Sequence, residues 1–421
     1  MTREMEQLRQ RILTKLDLTR ETKDEELEEL IYKEVGAYSR SQGLSITQRE
    51  QFEKEIYHSL RKLDVLQELV EDPFVTEIMV NGPDHIFFEK DGRVCQWDRQ
   101  FYSREKLEDV IQQIVAAGNK LVNEANPIVD TRLRDGSRVN IVLSPIAIDG
   151  SAITIRKFPE QPMRMNRLVQ LGAVSEEVVA FLKQLVQAGY NLFLSGGTGA
   201  GKTTFLNALS EFIPSGERVI TIEDSAELQI QQVPNLVRLE TRNANSEGEG
   251  AVTIRDLIRA ALRMNPSRII VGEVRSSEAF DLLTAFNTGH SGMGTGHANS
   301  PKDMLSRLES MVLMAAELPL MAIRSQISAA IDIIVQLGRL RDKSRRVLEI
   351  VELKGMEQGE ILLNPLYVFQ EKPQEEERKK GGKSGKKTAA ASKETEKVKG
   401  ELVCVGQLLG KEKLWAAGCE L

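Results

Sequence analysis

Residues 190–210, "YNLFLSGGTGAGKTTFLNALS", leave a chain few ways to fold. An apolar run that reads as a strand enters Gly196–Thr203, the pattern GxxxxGK[ST], and a helical pattern leaves it. In that context the glycines let backbone N–H groups wrap a polyphosphate, and the helix N-terminus adds partial positive charge. The expected phosphate-binding residues are Gly196, Gly197, Thr198, Gly199, Ala200, Gly201, Lys202, Thr203 and Thr204. Lys202 is placed to reach the β- and γ-phosphates of ATP, and Thr203 to ligate Mg²⁺. A Gly-rich turn with a chance Lys-Thr is the alternative, and the flanking strand and helix argue against it.

Around the loop the pattern is α/β. "SEEVVAFLKQLVQ" reads as a helix, and the strands "NLFLSG", "RVITIE" and "RIIVGEV" alternate with helices, as in a mainly parallel sheet. The expected large domain is a P-loop ATPase domain over 171–370. Residues 1–70 read as amphipathic helices, for example "DEELEELIYKEV". Short β-prone runs with Asn-Gly-Pro and Asp-Gly turns, plus one helix, predict a smaller α+β domain over 71–158. "PEQPMRMN", with two prolines, suggests a linker over 159–170. Residues 371–400 hold ten Lys/Arg, six Glu and almost no bulky apolar side chain, so a disordered insert is expected there. Apolar character returns in 401–421, read as a folded C-terminal piece.

Two strand ends carry acids. The run "SRIIVGEV" ends at Glu273, where a carboxylate can orient or deprotonate an attacking water and help hold the Mg²⁺ shell. Gly272 precedes it, where most such strands carry Asp. "VITIEDSAEL" offers Glu223, Asp224 and Glu227 as further candidates. "NTGHSGMGTGHANS" holds His290 and His297 with six residues between them. That pair has no Cys or carboxylate company for zinc, and imidazole titrates near neutrality, so contact with an anion is the favoured reading and packing the alternative for His290. Arg255, Arg259 and Arg263 recur at helical spacing after a Thr253–Asp256 capping-box pattern; the basic face they make either meets a neighbouring subunit or is solvated.

With 41% hydrophobic and 28% charged residues the chain has ample material for a core. No apolar run is long enough to span a membrane, and the start "MTREMEQLRQRI" lacks the apolar centre of a signal peptide, so a cytoplasmic protein is expected. Cys95, Cys404 and Cys419 have no CxxC spacing and read as packing residues. A net charge of -6 with 5% aromatics gives no track for nucleic acid, and no direct nucleic-acid partner is expected.

In the segments "VTEIMVNGPD", "VDTRLRDGSRVNIV", "DGSAITIRKF", "SGGTGAGKTT", "ITIEDSAEL", "TIRDLIRAALRMNPSRIIVGEVR", "NTGH" and "GHANS" the chain resembles the CpaF family of secretion ATPases. That family powers tight-adherence (Flp) pilus assembly within the type II/type IV secretion superfamily. The resemblance implies a RecA-like domain using ATP and Mg²⁺. It implies a homo-hexameric ring peripheral to the inner face of the cell membrane, acting on polytopic platform proteins. It also implies that Glu223 lies in an acidic box, that Glu273 is the Walker B glutamate, and that His297 is the second histidine of a box near the γ-phosphate. Arg132, Arg138 and Arg156 match the arginines that the family brings to nucleotide from its small N-terminal unit, and a surface salt bridge is the alternative for each. The His-x6-His spacing is one residue shorter than is common there. Arg134 stands where proline is usual, and Ser276 and Ser277 stand where glycine is common. The competing readings are a conjugation-type secretion ATPase, a nucleic-acid translocase and a scaffold that binds ATP without turnover.

Overall fold

Apolar residues at helical spacing make the first three helices pack on one another. In the computed structural model, α1 (Arg3–Lys15), α2 (Asp24–Gln42) and α3 (Ile46–Arg61) bury Leu8, Ile12, Leu27, Ile31, Val35 and Ile56 together. The structure describes residues 3–16, 22–90, 92–158, 162–242, 244, 249–372 and 398–419. They fall into two units, Met1–Gln161 and Pro162–Leu421.

In the first unit α4 (Gln67–Glu71) leads into β1 (Val75–Asn81), β2 (His85–Lys90), β3 (Arg93–Gln96), α5 (Arg104–Ala117), β4 (Ile128–Arg132), β5 (Arg138–Val142) and β6 (Ala152–Arg156). The strands form one antiparallel sheet in the order β3-β2-β1-β6-β5-β4. Alternation decides its faces. Val139, Ile141, Ile153 and Ile155 share a core with Leu107, Val110, Ile111 and Ile114 of α5. On the opposite face the register sets Arg132 across from Arg138, and Arg138 across from Arg156.

The second unit contains α6 (Met165–Gln170), α7 (Glu176–Gln187), β7 (Leu192–Gly196), α8 (Lys202–Ser210), β8 (Arg218–Glu223), β9 (Asn235–Glu240), α9 (Ile254–Ala261), β10 (Arg268–Val271) and α10 (Glu278–Asn287). It continues through β11 (Ser291–Gly296), α11 (Pro301–Leu313), α12 (Leu320–Ala330), β12 (Ile333–Arg339), β13 (Arg345–Glu357), β14 (Glu360–Glu371), β15 (Gly400–Cys404) and α13 (Glu412–Ala416). Its sheet runs β15-β14-β13-β12-β7-β11-β10-β8-β9. From β12 to β9 neighbours are parallel, and β13, β14 and β15 are added antiparallel. The strands β7 and β10 are buried along their whole length, as a parallel sheet covered on both faces requires.

Several expectations are corrected here. The span 159–170 is not all linker: Met165–Gln170 is helical, and Met165 and Leu168 enter the core of the second unit despite the prolines just before them. The basic face on α9 is closed by an acid from the next helix, because Arg255 and Arg259 both bind Asp281 of α10, at 2.6 and 2.9 Å. Arg263 lies beyond the last helical residue and is exposed. Within the expected C-terminal piece, β15 pairs with β14, and Leu408 and Leu414 join the core of the second unit. The expected insert lies mostly outside the described residues, at 373–397. Its two ends meet, with the Lys372 N–H donating to the Lys399 carbonyl at 2.9 Å. Among the described residues no helix is long and apolar enough to cross a membrane.

Candidate nucleotide site

Strand order places the functional side chains. The neighbours β7, β11, β10 and β8 are parallel, so their C-terminal ends lie side by side, and those ends carry Lys202, His297, Glu273 and Glu223 in that sequence. A ligand crevice at the C-terminal edge is the general consequence of an open parallel sheet. The strand β11 separates the phosphate-loop strand from the Glu273 strand, which is why a histidine comes between lysine and glutamate.

Lys202 is buried, and its Nζ donates to the carbonyls of Gly196 and Gly197 at 3.0 and 3.2 Å. The same Nζ lies 3.2 Å from His297 Nδ1. An ammonium only donates, so Nδ1 is the accepting nitrogen and the proton of the neutral ring sits on Nε2. Nε2 approaches Glu273 Oε1 to 2.5 Å, a close contact between the neutral ring and the carboxylate without the alignment of a hydrogen bond. Burial, reinforced by the Lys202 charge, holds His297 below the ordinary histidine range, in keeping with that tautomer. Burial likewise pushes the Lys202 ammonium down, against the opposing pull of Glu273.

Glu273 is held from its other side by Arg275, whose Nη2 donates to Oε2 at 2.5 Å, while Nη1 lies 3.6 Å from Asp224. Burial pushes the Glu273 carboxyl up, but Arg275, His297 and Lys202 together outweigh it and leave the group below its ordinary value. Glu223 behaves in the opposite way. Burial raises its carboxyl, although Oε1 accepts the N–H groups of Glu227 and Leu228 at 2.8 and 3.0 Å; Oε2 is buried with no hydrogen-bond partner among the described residues. The side chain lies flat on Gly272: a Cβ there would sit 2.8 Å from Glu223 Cγ. That explains glycine where an Asp was expected.

The two histidines lie at opposite ends of β11, so at about 3.3 Å per residue they stand roughly 20 Å apart and cannot share a metal. His290 closes the end of α10, with Nδ1 3.3 Å from the Ala285 carbonyl. Among the described residues no cluster of three His, Cys, Asp or Glu is arranged to hold a metal. Arg132, Arg138 and Arg156 belong to the first unit and form a row of their own on its sheet. Sequence reasoning gave no role to Arg275, although it stands in "GEVR", or to Arg345, whose Nε donates to the Gly199 carbonyl at 2.9 Å across 146 positions of chain.

A family model described as "Type II/IV secretion system protein" matches residues 59–403. The chain belongs to that family. A phosphate loop with Lys202, Thr203 and Glu273 intact in a member of this family makes the chain an ATPase. A putative conjugal transfer protein of Mycobacterium tuberculosis is 35% identical over 300 residues, covering 70% of this chain and 85% of that protein. The type IV secretion system protein PtlH of Bordetella pertussis is 34% identical over 313 residues, covering 67% and 91%. Among solved structures, the pilus retraction motor PilT with bound ADP superposes with a TM-score of 0.51 at 20% identity, covering 73% of this chain and 82% of that one. This likeness shows the RecA-like P-loop fold.

Proposed function

We propose that this chain is a homo-hexameric motor that hydrolyses ATP to assemble Flp-type (tight-adherence) pili, working at the inner face of the cell membrane on polytopic platform proteins. The observation that supports a motor most directly is the line Lys202, His297, Glu273, Glu223 along adjacent strand ends. Lys202 exchanges its carbonyl and imidazole partners for the β- and γ-phosphates. That exchange frees the His297 ring, which turns its Nε2–H towards the terminal phosphate. Glu273 orients the attacking water and takes its proton. The residues present fit a Mg²⁺ ion: it demands one or two carboxylates besides phosphate and water, and Thr203 with the unpartnered Glu223 Oε2 supplies such a set. When bound, the ion neutralises phosphate charge. The register brings Arg132, Arg138 and Arg156 into one row across three strands, and we assign to that row the nucleotide held by a neighbouring subunit.

The pilus reading is supported by "VTEIMVNGPD" and "NTGH". A conjugation-type secretion ATPase is the second reading, favoured by the conjugal-transfer relative at 35% identity. One experiment tests the motor and a second separates the two readings. Purified protein should release phosphate from ATP; Lys202→Ala should lose nucleotide binding, whereas Glu273→Gln should retain ATP unhydrolysed. Equal loss of binding in both would remove the assignment of Glu273. A strain lacking the gene should lose surface fibres and regain them with the wild-type gene only; intact fibres with lost DNA transfer would favour the second reading.

A further inference from the structure

Packing does little to hold the exposed tip of the phosphate loop, residues 197–199, although Gly196, Ala200 and Lys202 at its base are buried. A Cβ on Gly197 or Gly199 would meet no atom within 4 Å, and one on Gly201 would meet only Arg345 Cδ, at 3.4 Å. Gly199 and Gly201 also take left-handed backbone, at φ 72° and 93°. A loop with so few neighbours loses conformational freedom when it closes on a phosphate, which weakens binding unless the loop is already fixed. Arg345, the first residue of β13, supplies a brace from outside through its Nε bond to the Gly199 carbonyl.

The brace is itself anchored. Arg345 lies opposite Arg339 at the mouth of the β12–β13 turn. Within that turn Asp342 accepts the Ser344 N–H at 3.0 Å, the Ser344 hydroxyl at 2.6 Å and the Val398 N–H at 2.7 Å. Arg346 donates to the carbonyls of Val398 and Gly400, at 2.7 and 3.3 Å. The turn is thereby tied to the strand that returns at Gly400, and Arg345 reaches the loop from a fixed base.

We propose that Arg345 is a positioning residue of the phosphate loop, holding the Gly199 carbonyl outward so that the loop receives a nucleoside di- or triphosphate without first being ordered. This rests on the reading of Gly196–Thr203 as the ATP site. The contact is to the loop and not to the γ-phosphate, so ADP and ATP benefit alike and turnover of bound ATP does not.

Arg345→Gln should raise both KM for ATP and Kd for ADP roughly five- to tenfold, the size of one lost charge-assisted hydrogen bond at a surface, while kcat stays within about twofold. Arg345→Lys, which keeps a donor on a flexible stem, should fall between. Arg339→Gln removes the same charge from the facing position and should leave KM near wild type. An unchanged ADP affinity in Arg345→Gln, or equal effects in Arg345→Gln and Arg339→Gln, overturns the proposal. So does a fall in kcat with KM held. Lys202→Ala tests the underlying reading separately: if it binds ADP like wild type, the loop is not the nucleotide site, whatever Arg345 does.

Discussion

Gly272→Ala tests how closely the two acidic strand ends are fitted together. The new methyl would lie 2.8 Å from Glu223 Cγ, 3.4 Å from Oε1 and 3.5 Å from Cβ, closer at the first than carbon atoms approach. Either β10 shifts within a sheet buried on both faces, or Glu223 swings off. Swinging off breaks its bonds to the Glu227 and Leu228 N–H groups, each worth about 1.5–3 kcal/mol as a bond to a charged acceptor. Overpacking by one methyl costs about 1–3 kcal/mol, and the chain takes the cheaper route, so the expected loss is about 1–3 kcal/mol. In a Glu223→Ala background no Cγ is present and the same substitution should cost under about 1 kcal/mol, giving a coupling of about 1–2 kcal/mol. The chain has two tryptophans, Trp97 in the first unit and Trp415 in the second. In a Trp97→Phe background the fluorescence of Trp415 therefore follows the second unit through a urea titration of all four proteins. Equal costs in the two backgrounds would show that Gly272 is not there to seat Glu223.

Other outcomes follow from the same geometry. Mixing Lys202→Ala with Arg138→Ala subunits should give ATPase activity that departs from the sum of the two inactive parents, whereas wild-type turnover by Arg138→Ala alone in an assembled ring would end the shared-site reading. His297→Ala should leave ADP affinity nearly intact and weaken the ATP-specific response, with His290→Ala milder; titrations with both nucleotides decide this, and stoichiometric zinc in chelator-washed protein would contradict it. Burial depresses the pKa of His58 and of His297. The unfolded chain therefore binds more protons than the folded one once pH falls below about 6.5, and stability should drop from there towards the folded-state values. Urea midpoints between about pH 8 and pH 5 should flatten in His58→Gln and His297→Gln, and unchanged slopes would refute it.

Local chemistry was legible in the sequence and distant chemistry was not. The phosphate loop, the acids at strand ends and the Thr253–Asp256 capping box are set by residues a few positions apart, and their spacing alone places them. The strand β11 was hidden because glycine has poor strand propensity, so "SGMGTG" reads as a run of small residues. Its glycines are demanded by neighbours far along the chain. A Cβ on Gly292 would meet the Ile269 carbonyl at 2.4 Å, and one on Gly296 would meet Phe193 at 2.9 Å. Asp281 for the α9 arginines and Gly199 for Arg345 are likewise partners that only the fold supplies. The helix α6 was obscured by prolines that end just before it, and its helicity rests on burying Met165 and Leu168.

The junction where the Lys372 amide meets the Lys399 carbonyl offers a practical handle. Chain that leaves a sheet edge and returns to the neighbouring strand is closed by the fold on both sides, and doubling its length costs only about 0.6 kcal/mol of closure entropy. A fluorescent domain or an affinity tag grafted between these two residues would sit at a known point on the chain. Its movement could then be timed against single turnovers, with the catalytic strand ends left untouched.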